Sequence, residues 1–167
     1  MRAAWLAAIP ASIILCLAAV PRPQAEPGYI DNNVPQLEGS WLVTVTLDVE
    51  NGPPPFETLQ SYTAGGVVIG TDPSVYPLYG LRVTQTAYQG TWAKKQHRTF
   101  SFTMIGFQWD ETVDPPVLWK GIIKEDVTVE PGGDAYTGKG TVEWYYPNGD
   151  FGGITRDTTH AIRIKAD

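Results

Sequence analysis

One glutamate and one histidine in this sequence have the residue types that acid–base catalysis requires. Glu125 is a carboxylate on an otherwise apolar strand face, and His160 lies on the last predicted strand. A buried glutamate has a raised pKa, and a histidine beside it could shuttle a proton, as an acid–base pair in an apolar chamber must. A second interpretation stays open, in which Glu125 lies at a barrel rim beside Lys124 or Arg156 and His160 is a hydrogen-bonded wall residue.

Aromatic side chains are the candidates for holding a ligand. They alternate with polar residues on strands that also carry glycines, such as Gly138 and Gly140, and inward-facing glycines leave room for a cavity. The alternative is a filled barrel in which the aromatic rings pack on each other. The residues predicted to wall the cavity are Phe100, Phe102, Trp119, Tyr136, Trp144 and Tyr146.

The segment 72–80, which contains Pro73 and Pro77, adds two more aromatic candidates, Tyr76 and Tyr79. In a barrel, a long aromatic loop of this kind can fold across the open mouth as a lid. An ordinary proline-bearing connection that covers the barrel end explains the same residues.

Other chemistries find no support in the sequence. Two histidines and the single Cys16 make a zinc site of the usual kind improbable, and Asp110, Glu111 and Asp114 lack the spacing of a calcium loop. The sequence contains no nucleophile elbow, phosphate-binding glycine loop or dinucleotide fingerprint. We therefore predict no metal and no cofactor.

The elements that must position these residues are β-strands. The first is the clearest, because Trp41, Val43, Val45 and Leu47 recur at every second position. Turn signals separate the later strands, among them Pro147-Asn148-Gly149-Asp150, and the fourth strand is expected to bend at Gly90. Short turns favour an eight-stranded antiparallel up-and-down barrel over a Greek-key sandwich. The predicted strands cover 37–49, 56–63, 67–71, 81–94, 98–109, 117–130, 135–146 and 151–164.

The first residues of the 167-residue chain have the pattern of a secretory signal peptide. Arg2 precedes an apolar run that ends in a proline-bearing segment, and cleavage is expected after Ala25. We predict a signal peptide over 1–25, an irregular leader over 26–36 and a barrel domain over 37–167. Removing Arg2 and Arg22 from the 12 basic residues leaves 10 against 18 acidic ones, a formal charge of −8. This charge argues against nucleic acid and anionic membranes as partners.

Two Gly-x-Trp motifs carry a resemblance to a known group. Gly39-Ser40-Trp41 opens the first strand and Gly90-Thr91-Trp92 repeats the pattern. The chain thus resembles the lipocalin and calycin barrels, in which this Trp plugs the closed end and a basic residue of the last strand packs over it. If the first and last strands pair antiparallel, Arg163 falls next to Trp41 and stacks on its indole. The segment 98–103 adds a likeness to uncharacterised bacterial secreted lipocalin-like proteins.

The resemblance implies a secreted or periplasmic barrel that binds a small, largely apolar molecule in its lumen and has no membrane contact after signal cleavage. A second hypothesis is a cofactor-independent isomerase or cyclase of the allene-oxide-cyclase type, which would use the same chamber mainly by its shape. The third is a filled structural or interaction barrel. The structural residues expected on this basis are Gly39, Trp41, Gly90, Trp92 and Arg163.

Overall fold

The computed structural model describes residues 36–72, 76–78, 81–112 and 114–166. The predicted signal peptide, the leader up to residue 35, and Tyr79 lie outside the described residues. The backbone of Tyr76 is described, but its side chain is not. These parts of the sequence-based prediction therefore stay predictions.

The described part of the chain is all-β and contains no helix. Alternating burial marks most strands, and in β1 the side chains of Trp41, Val43 and Val45 are buried while those between them are not. The strands are β1 (Gly39–Leu47), β2 (Phe56–Tyr62), β3 (Val67–Thr71), β4 (Tyr76–Leu78), β5 (Leu81–Gln85), β6 (Tyr88–Gln96), β7 (Thr99–Asp110), β8 (Val117–Val129), β9 (Ala135–Tyr145) and β10 (Phe151–Arg163).

The strands close into an antiparallel barrel of eight positions. The order around the barrel is β1, β2, β3, β6, β7, β8, β9 and β10, and β10 pairs back onto β1. β5 continues the wall of β6, since both pair with β7, and β4 is one extra strand that pairs with β5. Neighbours around the barrel are also neighbours in sequence, so the predicted up-and-down barrel is confirmed.

The fourth predicted strand is interrupted, but not where the sequence suggested. The break between β5 and β6 falls at Thr86 and Ala87, and the bend expected at Gly90 is wrong. Thr86 maintains the two hydrogen bonds to β7 at the break. Its amide donates to Phe107 O, and its Oγ1 accepts from the Phe107 amide in place of a backbone carbonyl. Glycine is required at position 90 for a different reason, because a Cβ there would clash with Thr103 O on β7.

One end of the barrel is packed solid. Its strands are joined by the short turns at 63–66, 97–98 and 130–134, whereas the other end carries the longer connections. The buried side chains that fill this closed end come from all around the wall. They include Leu37, Trp41, Val43, Tyr62, Val68, Phe100, Phe102, Val127, Val129, Tyr136 and Ala161.

Arg163 locks the first and last strands together at the closed end. It pairs with Trp41 across the seam, and its guanidinium lies 4.1 Å from the centre of the Trp41 ring, as the sequence predicted. The guanidinium also donates to three backbone carbonyls, those of Gln36, Glu38 and Gly133. Gly39 makes room for it, because a Cβ there would lie 2.6 Å from Arg163 Nη1.

Candidate functional site

An open chamber of about 440 Å³ occupies the end of the barrel away from Trp41. This volume falls within the range of roughly 300–1,000 Å³ that is typical of small-molecule sites. Much of its wall is apolar, because the inward-facing positions near this end are aliphatic, aromatic or thioether side chains. These include Val45, Leu47, Phe56, Val83, Met104 and Ile123.

Two acidic side chains interrupt this apolar wall side by side. Glu125 on β8 pairs with Gly140 on β9, and Gly140 pairs with Asp157 on β10. A Cβ on Gly140 would lie 2.8 Å from Asp157 Oδ1 and 3.1 Å from Glu125 Cβ, so both acidic side chains reach the space over this glycine. Only 5% of Glu125 and 6% of Asp157 is exposed. We call Glu125, Gly140 and Asp157 the acidic row.

Burial raises the pKa values of the two acids by different amounts. Burial, supported by the charge of Asp157, raises the pKa of Glu125 to about 8, although Thr159 Oγ1 opposes the rise by donating a short hydrogen bond to Glu125 Oε1. Burial also raises the pKa of Asp157 to about 6. Near neutral pH Glu125 is therefore mainly protonated and Asp157 mainly ionised, so one is a proton donor and the other an acceptor.

The acids of the chamber have no basic partner on its wall. Asp157 Oδ1 is buried and lacks a hydrogen-bond partner among the described residues. Asp72 also lines the chamber, and burial raises its pKa. None of the described lining residues is Lys, Arg or His. Hydrogen bonds from Thr58 and Gln85 to Asp72, and from the backbone of Gly140 to Asp157, oppose the rise in the pKa of each acid. What the described wall lacks is a cation.

Two indole rings stand at the mouth, each placed over a glycine. The Trp144 ring lies on Gly121, where a Cβ would be 3.0 Å away, and its N–H donates to Thr155 Oγ1 at 3.2 Å. The Trp119 ring lies on Gly152, where a Cβ would be 2.5 Å away. Gly121 and Gly152 thus make room for flat aromatic surfaces.

Gln60 separates the chamber from the packed end. Its Oε1 accepts a hydrogen bond from the Tyr62 hydroxyl at 2.5 Å and from the Tyr136 hydroxyl at 3.1 Å. Burial raises the pKa of both tyrosines, so the two hydroxyls stay protonated near neutral pH. This group forms a fixed polar floor under the chamber.

The predicted aromatic wall is found only in part. Trp119 and Trp144 line the chamber. Phe100, Phe102 and Tyr136 also point into the barrel, but they belong to the packed closed end and do not line the chamber. This corrects their predicted position, because alternation along a strand gives the face of a side chain and not its height in the barrel.

Tyr146 lies on the rim rather than inside. It follows the end of β9, is 43% exposed and packs against Trp119 with 4.3 Å between ring centres. The register shift between Phe151 and Gly153 opposite this point ends the regular alternation. Its predicted ligand contact, and those of Tyr76 and Tyr79, stay predictions.

The predicted pairing of Glu125 with His160 is wrong. His160 is exposed and lies on the outer face of β10, between Thr44 of β1 and Thr137 of β9. Glu125 is inside the barrel, so the wall of the barrel separates the two side chains. The rim placement of Glu125 is equally excluded by its burial.

Comparisons with protein-family models, curated proteins and solved structures gave no match. Within the described residues, no group of three or more His, Cys, Asp or Glu is arranged to hold a metal ion. No helix in this part of the chain is long and apolar enough to cross a membrane. The chamber itself is therefore the basis for assigning a function.

Sequence reasoning missed the polar members of the site, which are Asp72, Asp157, Thr159 and Gln60. On β10 it took the more apolar face, with His160, as the inner one. The inner face is in fact the polar one, with Asp157 and Thr159. A signal for this was present, since an inward Arg163 over Trp41 requires every second residue before it to face inward as well.

Proposed function

We propose that the protein binds a small molecule in the open end of its barrel. The observation that carries the proposal is the chamber of about 440 Å³, whose wall is mainly apolar with a few convergent polar groups. Trp119 and Trp144 offer flat surfaces for an apolar ligand body. Glu125 and Asp157 lie side by side on one part of the wall, so a ligand with a polar group that binds there is held in one orientation.

The relation to exported lipocalin-like binding barrels is part of this proposal. It is supported by the Gly-x-Trp at the start of β1 and by Arg163 stacked on Trp41. With the sequence pattern of residues 1–25, this predicts a secreted or periplasmic protein. The finer likeness to the bacterial lipocalin-like group is supported by Gly90-Thr91-Trp92 followed by the segment 98–103.

The test is native mass spectrometry of the protein purified from its host's export pathway, followed by denaturation to release bound molecules. We expect one small molecule per chain. As a second measurement, a fluorescent apolar probe should bind the emptied protein and be displaced by the released molecule. An empty protein that also fails to take up the probe would contradict the proposal and favour a structural barrel.

A second candidate function is a cofactor-independent isomerase or cyclase. The acidic row favours it, because the protonated Glu125 and the ionised Asp157 lie side by side and could donate and accept a proton at neighbouring positions of a bound molecule. Its test compares the molecules that copurify with the wild-type protein and with the Glu125→Gln variant. Isomers of equal mass, with the unconverted one in the variant, would support catalysis. The same molecule in both proteins would support binding alone.

A further inference from the structure

The charge pattern of the chamber indicates what kind of ligand it takes. We propose that the ligand carries a protonated amine, which binds at the acidic row between Asp157 and Glu125 while an apolar body extends toward Trp119 and Trp144. This inference rests on the proposed function and names the ligand class for the same chamber.

The first step of the argument is the unpartnered oxygen of Asp157. The side chain is 6% exposed, lines the chamber, and has a buried Oδ1 without a hydrogen-bond partner among the described residues. A buried polar group left unpaired costs stability, and a buried carboxylate costs more than a neutral group. An unpaired buried group in a native structure calls for an explanation, and at Asp157 a donor group on a ligand in the chamber would provide it.

The second step is the position of Glu125. The would-be Cβ position on Gly140 is within 3.1 Å of both Asp157 Oδ1 and Glu125 Cβ, so the two acidic side chains close over this glycine from its two sides, and both line the chamber. On the next inward position of β9, Gly138 is covered by Glu125 Oε1 and Thr159 Oγ1, which leave no space for a Cβ there, so this hydrogen-bonded pair holds the Glu125 carboxyl group in place. A substituted ammonium group has two or three N–H donors, and the acidic row offers acceptors on two sides.

The third step is the distribution of cations. The ion pairs of the described residues, Lys95 with Asp126, Lys124 with Glu143 and Lys165 with Asp134, all involve exposed lysines. Within the described chamber wall no lysine, arginine or histidine balances the acids. A bound cation would supply the opposite charge that the ionised Asp157 lacks, whereas an anionic ligand would place a like charge beside it.

An organic cation fits the chamber better than a metal ion. Two carboxylates and a hydroxyl at the acidic row fall short of the six to eight oxygen ligands that calcium takes, and no described cluster of three ligand residues is present. A bare ion would make no contact with the apolar wall and the two indoles beside the row. They suit the hydrocarbon part of an amine, whose charged end also interacts well with indole faces.

The titratable groups that face the row are also acidic or neutral. They are Asp72, Tyr88 and Asp110, which also line the chamber. Because the pKa of Asp157 is about 6, its carboxylate is lost below that pH, and an amine should then bind more weakly. A neutral ligand of the same shape should show no such change.

The experiment uses three compounds with one aromatic body and different charges, namely naphthylmethylamine, naphthylmethanol and naphthylacetate. Their binding to the protein emptied of its ligand is measured by isothermal titration calorimetry at about pH 7 and again at about pH 5. We expect the amine to bind roughly tenfold or more tightly than the alcohol, and the acid to bind most weakly. The preference for the amine should shrink at the lower pH.

Variants connect the preference to the acidic row. Asp157→Asn should lower amine affinity roughly tenfold and leave alcohol affinity nearly unchanged, and Glu125→Gln should have a smaller effect in the same direction. Asp126→Asn is the matched control, since Asp126 is next to Glu125 in sequence but exposed on the outer face. It should change neither affinity. Circular dichroism of each variant checks that the barrel is intact.

Two outcomes would overturn the inference. If the alcohol binds as tightly as the amine, or if Asp157→Asn weakens both compounds equally, the acidic row does not recognise a cation. In that case the proposed function itself still stands. If none of the three compounds and no apolar probe binds, the proposed function fails as well, so the two failures are distinguishable.

Discussion

The closed and open ends of the barrel are built from the same strands but have opposite interiors. At the closed end Trp41 is fully buried, lies 4.9 Å from the Tyr136 ring and donates its indole N–H to Leu37 O at 2.9 Å. At the open end the corresponding indoles, Trp119 and Trp144, line a chamber. The closed end carries three carbonyls held by Arg163, and the open end carries Asp157 Oδ1 with no partner in the described chain.

This difference assigns stability to one end and recognition to the other. Packed aromatic contacts and satisfied carbonyls at the closed end contribute to the free energy of unfolding. The chamber and its buried acids lower that free energy, which a protein tolerates at a binding site. Substitutions at the two ends should therefore affect different measurements.

The largest effect on stability is expected at Trp41. Trp41→Ala removes a fully buried indole and should lower the free energy of unfolding by about 3–5 kcal/mol, measured by urea titration. Phe151→Ala is the control at the open end, where the side chain is 59% exposed. It should change the free energy by less than about 1 kcal/mol. Equal losses in both variants would contradict the division between the two ends.

The pH dependence of stability tests the buried acid next. The folded pKa of Glu125 is raised to about 8, so between about pH 5 and pH 8 the native state holds a proton that the unfolded state has released. The free energy of unfolding should therefore fall as pH rises through this window, by on the order of a few kcal/mol. In Glu125→Gln the slope should be clearly smaller. Parallel curves for the two proteins in urea titrations would exclude a buried acid with a raised pKa.

Arg163→Lys sharpens the account of the closed end. Lysine cannot reproduce the fork that donates to the carbonyls of Gln36, Glu38 and Gly133 or stack flat on Trp41, so we expect a loss of roughly 1–3 kcal/mol in the free energy of unfolding. Ligand affinity should not change. Lys165→Ala, two residues away in an exposed ion pair, should cost about 0.5 kcal/mol or less. If Arg163→Lys is as stable as the wild type, the contacts of the guanidinium do not stabilise the closed end.

Substitution of Trp144 at the mouth should have the smallest effect on stability, and its main effect should be on ligand affinity. Trp144→Leu should cost about 1 kcal/mol of stability but weaken naphthylmethylamine roughly three- to tenfold, the value of one aromatic stacking contact. Trp92→Leu is the matched control, because Trp92 packs against Tyr62 and Phe100 at the closed end. It should reduce stability more and leave affinity unchanged. If Trp92→Leu weakens binding and Trp144→Leu does not, the ligand binds at the closed end, which would contradict the proposal.

The fold could be predicted from the sequence because the alternation and the turn signals agree. Residues 37–49 were expected as the first strand and β1 covers Gly39–Leu47, and the Asn148-Gly149 signal falls in the turn before β10. Even one contact between distant residues, Arg163 on Trp41, follows from antiparallel closure. The break at Thr86 and Ala87 could not be predicted, because a threonine side chain replaces the backbone there and no glycine or proline marks it.

The site could be predicted much less well. Trp119 and Trp144 were identified because apolar residues usually face the interior, and His160 was misplaced by the same rule. On β10 the inner positions Asp157 and Thr159 are polar, while Ile154 and Ile162 on the outer face are exposed. A binding site breaks the relation between polarity and exposure that sequence interpretation relies on, so the residues most specific to the site are the ones it misses.

The seam between β1 and β10 also has a consequence for how the chain reaches its native state. Each strand from β6 to β10 pairs with the next one along the chain, whereas the seam joins residues such as Trp41 and Arg163. Local hairpins close small loops and the seam closes a very large one, so we expect the meander of β6 to β10 to form first. Stopped-flow folding of Val43→Ala in β1 and Val127→Ala in β8, two fully buried valines, should then give a low φ-value for the first and a higher one for the second. The barrel would therefore form by closure of a preformed sheet, and the contact between Arg163 and Trp41 would form in the last step.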